Sequence, residues 1–191
     1  MQMNARLAEV ISTVGSPFVL FPAVITYTTV RRLGWEEAVN ALVSILVVLL
    51  LLGGFIFIRR RRGAVTNLDV SERAQRARNV YWPTLSLIAG VAVYFKLANR
   101  PFVWDTIYVG ALVATCFAFN AAIKISLHTV FATYLSALLL FHNWQWGVAM
   151  YVFAGLIAYS RLVLGRHKRN EVLLGWLVGT IFGIGYGILF S

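Results

Sequence analysis

Three short stretches hold nearly all the side chains that could do chemistry. The last of them reads Ser160-Arg161-Leu-Val-Leu-Gly165-Arg166-His167-Lys168-Arg169-Asn170-Glu171. His167 and Glu171 are four residues apart, so a helix places them on one face. A carboxylate bonded to one imidazole nitrogen fixes the tautomer and leaves the other nitrogen as a nucleophile. A solvated helix end, with Glu171 paired to a neighbouring Lys or Arg, fits the same spacing and is the commoner outcome on spacing alone. The middle stretch is Lys124-Ile125-Ser126-Leu127-His128-Thr129. Ser126 has the residue type of an N-cap, and His128 then falls in the first turn. Exposed backbone N–H groups and the helix dipole favour an anion there. Lys124 adds charge, and a histidine beside such an anion can protonate a leaving oxygen. An interfacial histidine that merely ends a helix fits equally well. The first stretch is Asp69-Val70-Ser71-Glu72-Arg73-Ala74-Gln75-Arg76. Arg73 and Arg76 are guanidinium groups three residues apart, able to grip phosphate oxygens bidentately without losing charge. A positive-inside loop with Asp69 and Glu72 as surface partners is the alternative.

The other polar residues read more plainly. The four arginines at 59–62 are a stop-transfer cluster that can also touch anionic lipid, and Arg78 is of the same kind. His142, in a short turn with Trp144 and Trp146, belongs to an interfacial aromatic belt. Cys116 lies inside an apolar run and reads as a small packing residue. No His-Glu-x-x-His pattern, aspartate cluster or Gly-rich phosphate loop occurs, so neither a metal nor a cofactor is expected. The late glycines (Gly175, Gly179, Gly183, Gly185, Gly187) read as close helix-packing positions.

The elements that must carry these stretches are set by composition. The chain has 191 residues, 60% hydrophobic and 13% charged, with mean hydropathy +0.76. A soluble domain carries about 25% charged residues; half that cannot coat a globule, which leaves an integral membrane protein. Apolar segments fall at 10–30, 38–58, 80–98, 102–123, 126–141, 146–160 and 171–190, with a polar stretch at 59–79. The expected fold class is an all-α, polytopic membrane helix bundle of about six to seven transmembrane helices. It forms a single transmembrane domain over 1–191. The first segment is too long for a cleavable signal and reads as a retained anchor. The net charge of +10 comes from basic residues lying between apolar runs. That pattern points to membrane topology and anionic head groups, with no nucleic-acid partner. Of the 17 Lys and Arg residues, 13 fall on one side and 4 on the other, and the richer side should be cytoplasmic. All three chemical stretches fall on that side and are expected to converge at one membrane face.

The ordered trio resembles the type 2 phosphatidic acid phosphatase superfamily of membrane lipid phosphatases. That family carries Lys-x6-Arg-Pro, Pro-Ser-Gly-His and Ser-Arg-x5-His-x3-Asp. Here Ser160-Arg161, five residues, His167, three residues and Glu171 match the third motif in all but the final residue. Ser126-Leu127-His128 is similar to the second, with Ile125 for Pro and Leu127 for Gly. Arg73-Ala-Gln-Arg76 resembles an Arg-x-x-Arg loop of a divergent branch, where the second motif reads Lys-Ile-Ser-x-His. The motifs lie within 67–175. The resemblance implies that His167 attacks phosphorus to form a phosphohistidine, that Glu171 orients it and that His128 protonates the leaving oxygen. It implies that Arg161, Arg73, Arg76, Lys124 and Ser126 hold the phosphate oxygens, with no metal required.

The function expected on these grounds is hydrolysis of a phosphate monoester or diphosphate of a polyprenyl or glycerol lipid. The alternative is a non-catalytic protein that binds or transports anionic lipids with the same cations. The partners expected are the membrane lipid substrate and the bilayer, with a homo-oligomer left open. The expected location is the cell inner membrane, motif loops on the cytoplasmic side.

Overall fold

The computed structural model describes residues 3–64 and 73–190. Among these the regular elements are all helical, and the protein is an all-α, multi-pass membrane protein. Asp69 and Glu72 lie outside the described residues. Helix α1 (Ala5–Val14) starts at Asn4, whose side-chain oxygen accepts the Leu7 N–H at 2.8 Å. Helix α2 (Pro17–Leu33) follows, bent 42° from α1. The segment expected over 10–30, with Pro17 and Pro22 inside it, is therefore two helices that together can make one span. Pro17 has no N–H to continue the α1 ladder and its ring crowds the preceding turn. The chain stops at Gly15 and restarts with proline in the first turn, where its missing donor costs nothing.

Among the described residues, five stretches are long and apolar enough to cross a bilayer: α3 (Trp35–Arg61), Ala77–Leu97, α6 (Val103–Asn120), α8 (Trp144–Val163) and α9 (Arg169–Phe190). The bent α1–α2 pair makes a sixth if it counts as one span. The remaining apolar helix, α7 (Leu127–His142), has 16 residues. It rises roughly 24 Å, short of the ~30 Å hydrocarbon layer.

The chain forms two compact units, residues 1–39 with 123–191, and residues 40–122. In the first unit α7 is the core. Ten of its residues are buried, and α2, α8 and α9 all pack on it. Two of its buried hydroxyls find acceptors within the helix: Thr133 Oγ1 donates to the Thr129 carbonyl at 2.9 Å and Ser136 Oγ to that of Ala132 at 2.7 Å. The late glycines explain how α9 comes so near. Gly175, Gly179, Gly183 and Gly187 recur every fourth residue, on one face of α9. A Cβ at Gly175 would lie 3.0 Å from the Ser126 carbonyl oxygen. At Gly179 it would overlap the Val130 carbonyl and Thr133 Oγ1, and at Gly187 the Phe141 ring. Small residues let two helix backbones approach where no hydrophobic effect drives them together. Helix α1 packs on α8, and Ile11 joins Ala132, Ala154, Ile157 and Trp176 in one apolar cluster.

The second unit contains most of α3, the one-turn α4 (Arg73–Arg76), a π-helical turn (Ala77–Tyr81), α5 (Trp82–Leu97) and α6. Helix α5 packs on α6. Leu52 and Ile56 of α3 meet Val80 and Leu87, and Ala41 meets Phe95 and Phe102. The wide π turn is held by Asn79. Its amide donates to the Gln75 carbonyl at 2.8 Å, and its oxygen accepts from Arg59 Nε at 2.9 Å. Cys116 is fully buried in α6, as a packing residue should be.

Candidate active site

The spacing from Arg161 to His167 has a local structural cause. Helix α8 ends in a Schellman motif with Gly165 at the left-handed position, φ 64°. The Gly165 N–H bonds back to the Leu162 carbonyl at 3.0 Å and the Arg166 N–H to that of Arg161 at 3.1 Å. A side chain at this φ would be strained, and glycine is not. The reversal lets the His167 N–H reach the same Arg161 carbonyl at 3.3 Å. Five intervening residues are therefore the length of a capped helix end that folds its last histidine back over its own arginine.

Helix α9 then begins, with Glu171 in its first turn. His167 Nδ1 and Glu171 Oε2 are 2.8 Å apart, and the imidazole side chain is only 1% exposed. The same carboxylate oxygen accepts the Lys168 N–H at 3.1 Å. A helix N-terminus favours a carboxylate, so Glu171 is fixed by three things at once: the imidazole, a backbone donor and its place on the helix. Its longer arm, compared with the family's aspartate, reaches the ring without difficulty. The solvated Glu–Lys end weighed above does not occur, because Glu171 turns inward to His167.

Ser126 caps α7. Its hydroxyl accepts from Thr129 Oγ1 at 3.0 Å and from the Thr129 N–H at 3.5 Å. Its own N–H donates to the Glu171 carbonyl at 3.2 Å. Ser126 is wholly buried. Both its hydroxyl and its amide are engaged inside the protein, so it acts here as a strut between the starts of α7 and α9. Leu127, where the family has glycine, sits in ordinary helical conformation at the first position of α7, and Ser126 has φ −81°. This turn needs no left-handed residue. His128 follows in the first turn, half-buried. Lys124 Nζ donates to the Arg166 carbonyl at 2.6 Å, which ties the segment before α7 to the loop that carries His167.

Two residues that sequence reasoning missed lie on α1. Arg161 is fully buried, and its Nη1 donates to Ser12 Oγ at 2.7 Å. Arg166 Nη2 pairs with Glu9 Oε1 at 2.8 Å. The available signal was a polar pair, Glu9 and Ser12, three residues apart on a helix whose other polar side chains are Arg6 and Thr13.

The first unit thus brings together Arg161, His167, Glu171, Lys124, Ser126 and the turn that carries His128. Arg73 and Arg76 belong to the second unit, in α4. Arg76 is 3% exposed and lies near Tyr81 and Cys116 of its own unit. Within the second unit, Arg59 braces the π turn, and Arg61 stacks over Phe57 at 4.5 Å. His142 Nδ1 lies 3.1 Å from the Leu138 carbonyl beside the exposed Trp144 and Trp146, in keeping with an aromatic belt. Among the described residues, no three His, Cys, Asp or Glu side chains gather as a metal site would need. No protein-family model, curated protein or solved structure matches the chain.

Proposed function

We propose that this protein is a metal-independent membrane lipid phosphatase of the type 2 phosphatidic acid phosphatase kind. The observation that carries the reading is the buried His167–Glu171 pair, folded back on Arg161 by the Gly165 cap. With its proton on Nδ1 and bound to Glu171, the imidazole holds its lone pair on Nε2, the atom that attacks phosphorus. An N–P bond forms as the bond to the lipid oxygen breaks, and His128 gives that oxygen its proton. Water then attacks phosphorus, His128 takes up the water's proton, and the N–P bond breaks to release inorganic phosphate and free His167. Arg161 and Lys124 stabilise the equatorial oxygens, where most of the barrier is lowered in phosphoryl transfer. The reading is argued from residues of the first unit. The substrate is an amphiphile whose phosphate or diphosphate sits at the membrane surface, on a polyprenyl or glycerol lipid. The asymmetry of Lys and Arg supports a cytoplasmic site in a cell inner membrane.

One observation favours a second reading. The His167 side chain is nearly closed off from solvent, as a purely structural histidine would be. The cations would then bind anionic lipid without turnover. Purified protein given phosphatidic acid or polyprenyl phosphate, without added metal, decides between them. The phosphatase reading expects phosphate release that vanadate inhibits and His167→Ala abolishes, with lipid binding retained. A well-folded preparation that binds both lipids and releases no phosphate from either overturns it.

A further inference from the structure

The proposed chemistry does not explain why Arg161 meets a residue 149 positions away. Ser12 is itself 2% exposed, so its contact with the guanidinium is shielded from water. Three residues earlier on α1, Glu9 holds Arg166. One ten-residue helix thus contacts Arg161 in the last turn of α8 and Arg166 in the loop after it, and Gly15, just past its end, is packed so closely that a Cβ would strike Ile157 of α8. The two acceptors differ in chemistry. From α1, the partly exposed Arg166 meets the Glu9 carboxylate, whereas the buried Arg161 meets the neutral Ser12 hydroxyl. A carboxylate beside Arg161 would hold it more firmly but would cancel the charge a phosphoryl group needs. A hydroxyl fixes the direction of the guanidinium and leaves its charge intact.

We infer that Ser12 is a positioning residue for Arg161: α1 straps the end of α8, and the Ser12 hydroxyl sets the direction in which the guanidinium meets phosphoryl oxygens. The inference rests on the phosphatase reading, and it makes a demand that simple packing does not. Ser12→Asp should hold the arginine and still harm the site more than Ser12→Ala.

The test uses the full-length protein in detergent, a short-chain phosphatidic acid as substrate and orthovanadate as the transition-state probe. Ser12→Ala should raise the vanadate inhibition constant and lower kcat/KM by a matched factor of about tenfold. Ser12→Asp should do so by about a hundredfold with melting temperature unchanged or raised, and Ser12→Thr should behave like the parent. A role confined to folding would reduce the active fraction and leave the inhibition constant unmoved, and that result overturns the inference. If the alanine form does not fold, Ser12→Cys keeps the volume, weakens the acceptor and reads the same constant. If the parent shows no turnover, the phosphatase reading fails separately, and the vanadate-induced rise in melting temperature becomes the readout. Loss of that rise in Ser12→Asp sustains the positioning role. A rise kept by Ser12→Asp, or absent from the parent, sinks it.

Discussion

Helices α7 and α3 invert the ordinary expectation that the most hydrophobic segment forms the core. Helix α3 has 27 residues and a long, strongly apolar run, little of which is buried. Helix α7 has 16 residues, carries Ser and Thr along its length, and is buried at ten positions. In lipid the surrounding solvent is as apolar as leucine, so hydrophobicity earns no place inside. Residues that let backbones close together and satisfy their hydroxyls locally take the core instead. The same contrast separates the two units. The first is joined by backbone-close packing and cross-helix hydrogen bonds, and it holds the candidate catalytic groups. The second exposes Val43, Val47, Leu50 and Leu51 along α3. It also keeps an apolar cleft of about 400 Å³ between α3 and α5, lined by Ser44, Ser86 and Gly90 among others.

This contrast can be broken most directly at the histidine. His167→Ala should cut phosphate release by at least about a thousandfold, whereas Val47→Ala on α3 should change it less than about twofold. Comparable losses from both would show that activity is not confined to the tightly packed unit. Glu171→Gln keeps the shape and removes the charge that holds the Nδ1 proton. It should lower kcat by roughly a hundredfold with little effect on lipid binding, measured on the same substrates. The packing difference is read from paired glycine substitutions by thermal unfolding in detergent. Gly179→Ala drives a methyl group into the Val130 carbonyl and should cost about 1–3 kcal/mol. Gly90→Ala meets nothing within 4 Å and should stabilise by about 0.5–1 kcal/mol. Equal shifts for the two glycines would remove the distinction between the units.

Much of the architecture was readable from hydropathy because each span is a local property of its own residues. The segment expected at 171–190 is α9 at Arg169–Phe190, and that at 126–141 is α7 at Leu127–His142 with Ser126 as its cap. The segment expected over 10–30 is bent at Pro17, where a backbone restriction outweighs apolar character. The His167–Glu171 contact was legible because four residues on a helix fix a face. The contacts of Ser12 and Glu9 were not, since partners some 150 residues apart leave no periodic trace in one chain. The roles of Ser126 were only half visible. Its capping hydroxyl follows from residue type, but its amide could have faced an anion, and which partner that amide finds depends on how near α9 comes.

That last bond joins the two motif turns through atoms that every residue except proline possesses. Neither Ser126 nor Glu171 contributes its side chain to it, so substitution at either position leaves the tether in place. The side chains around the two histidines can thus change while the main chain keeps their turns in register.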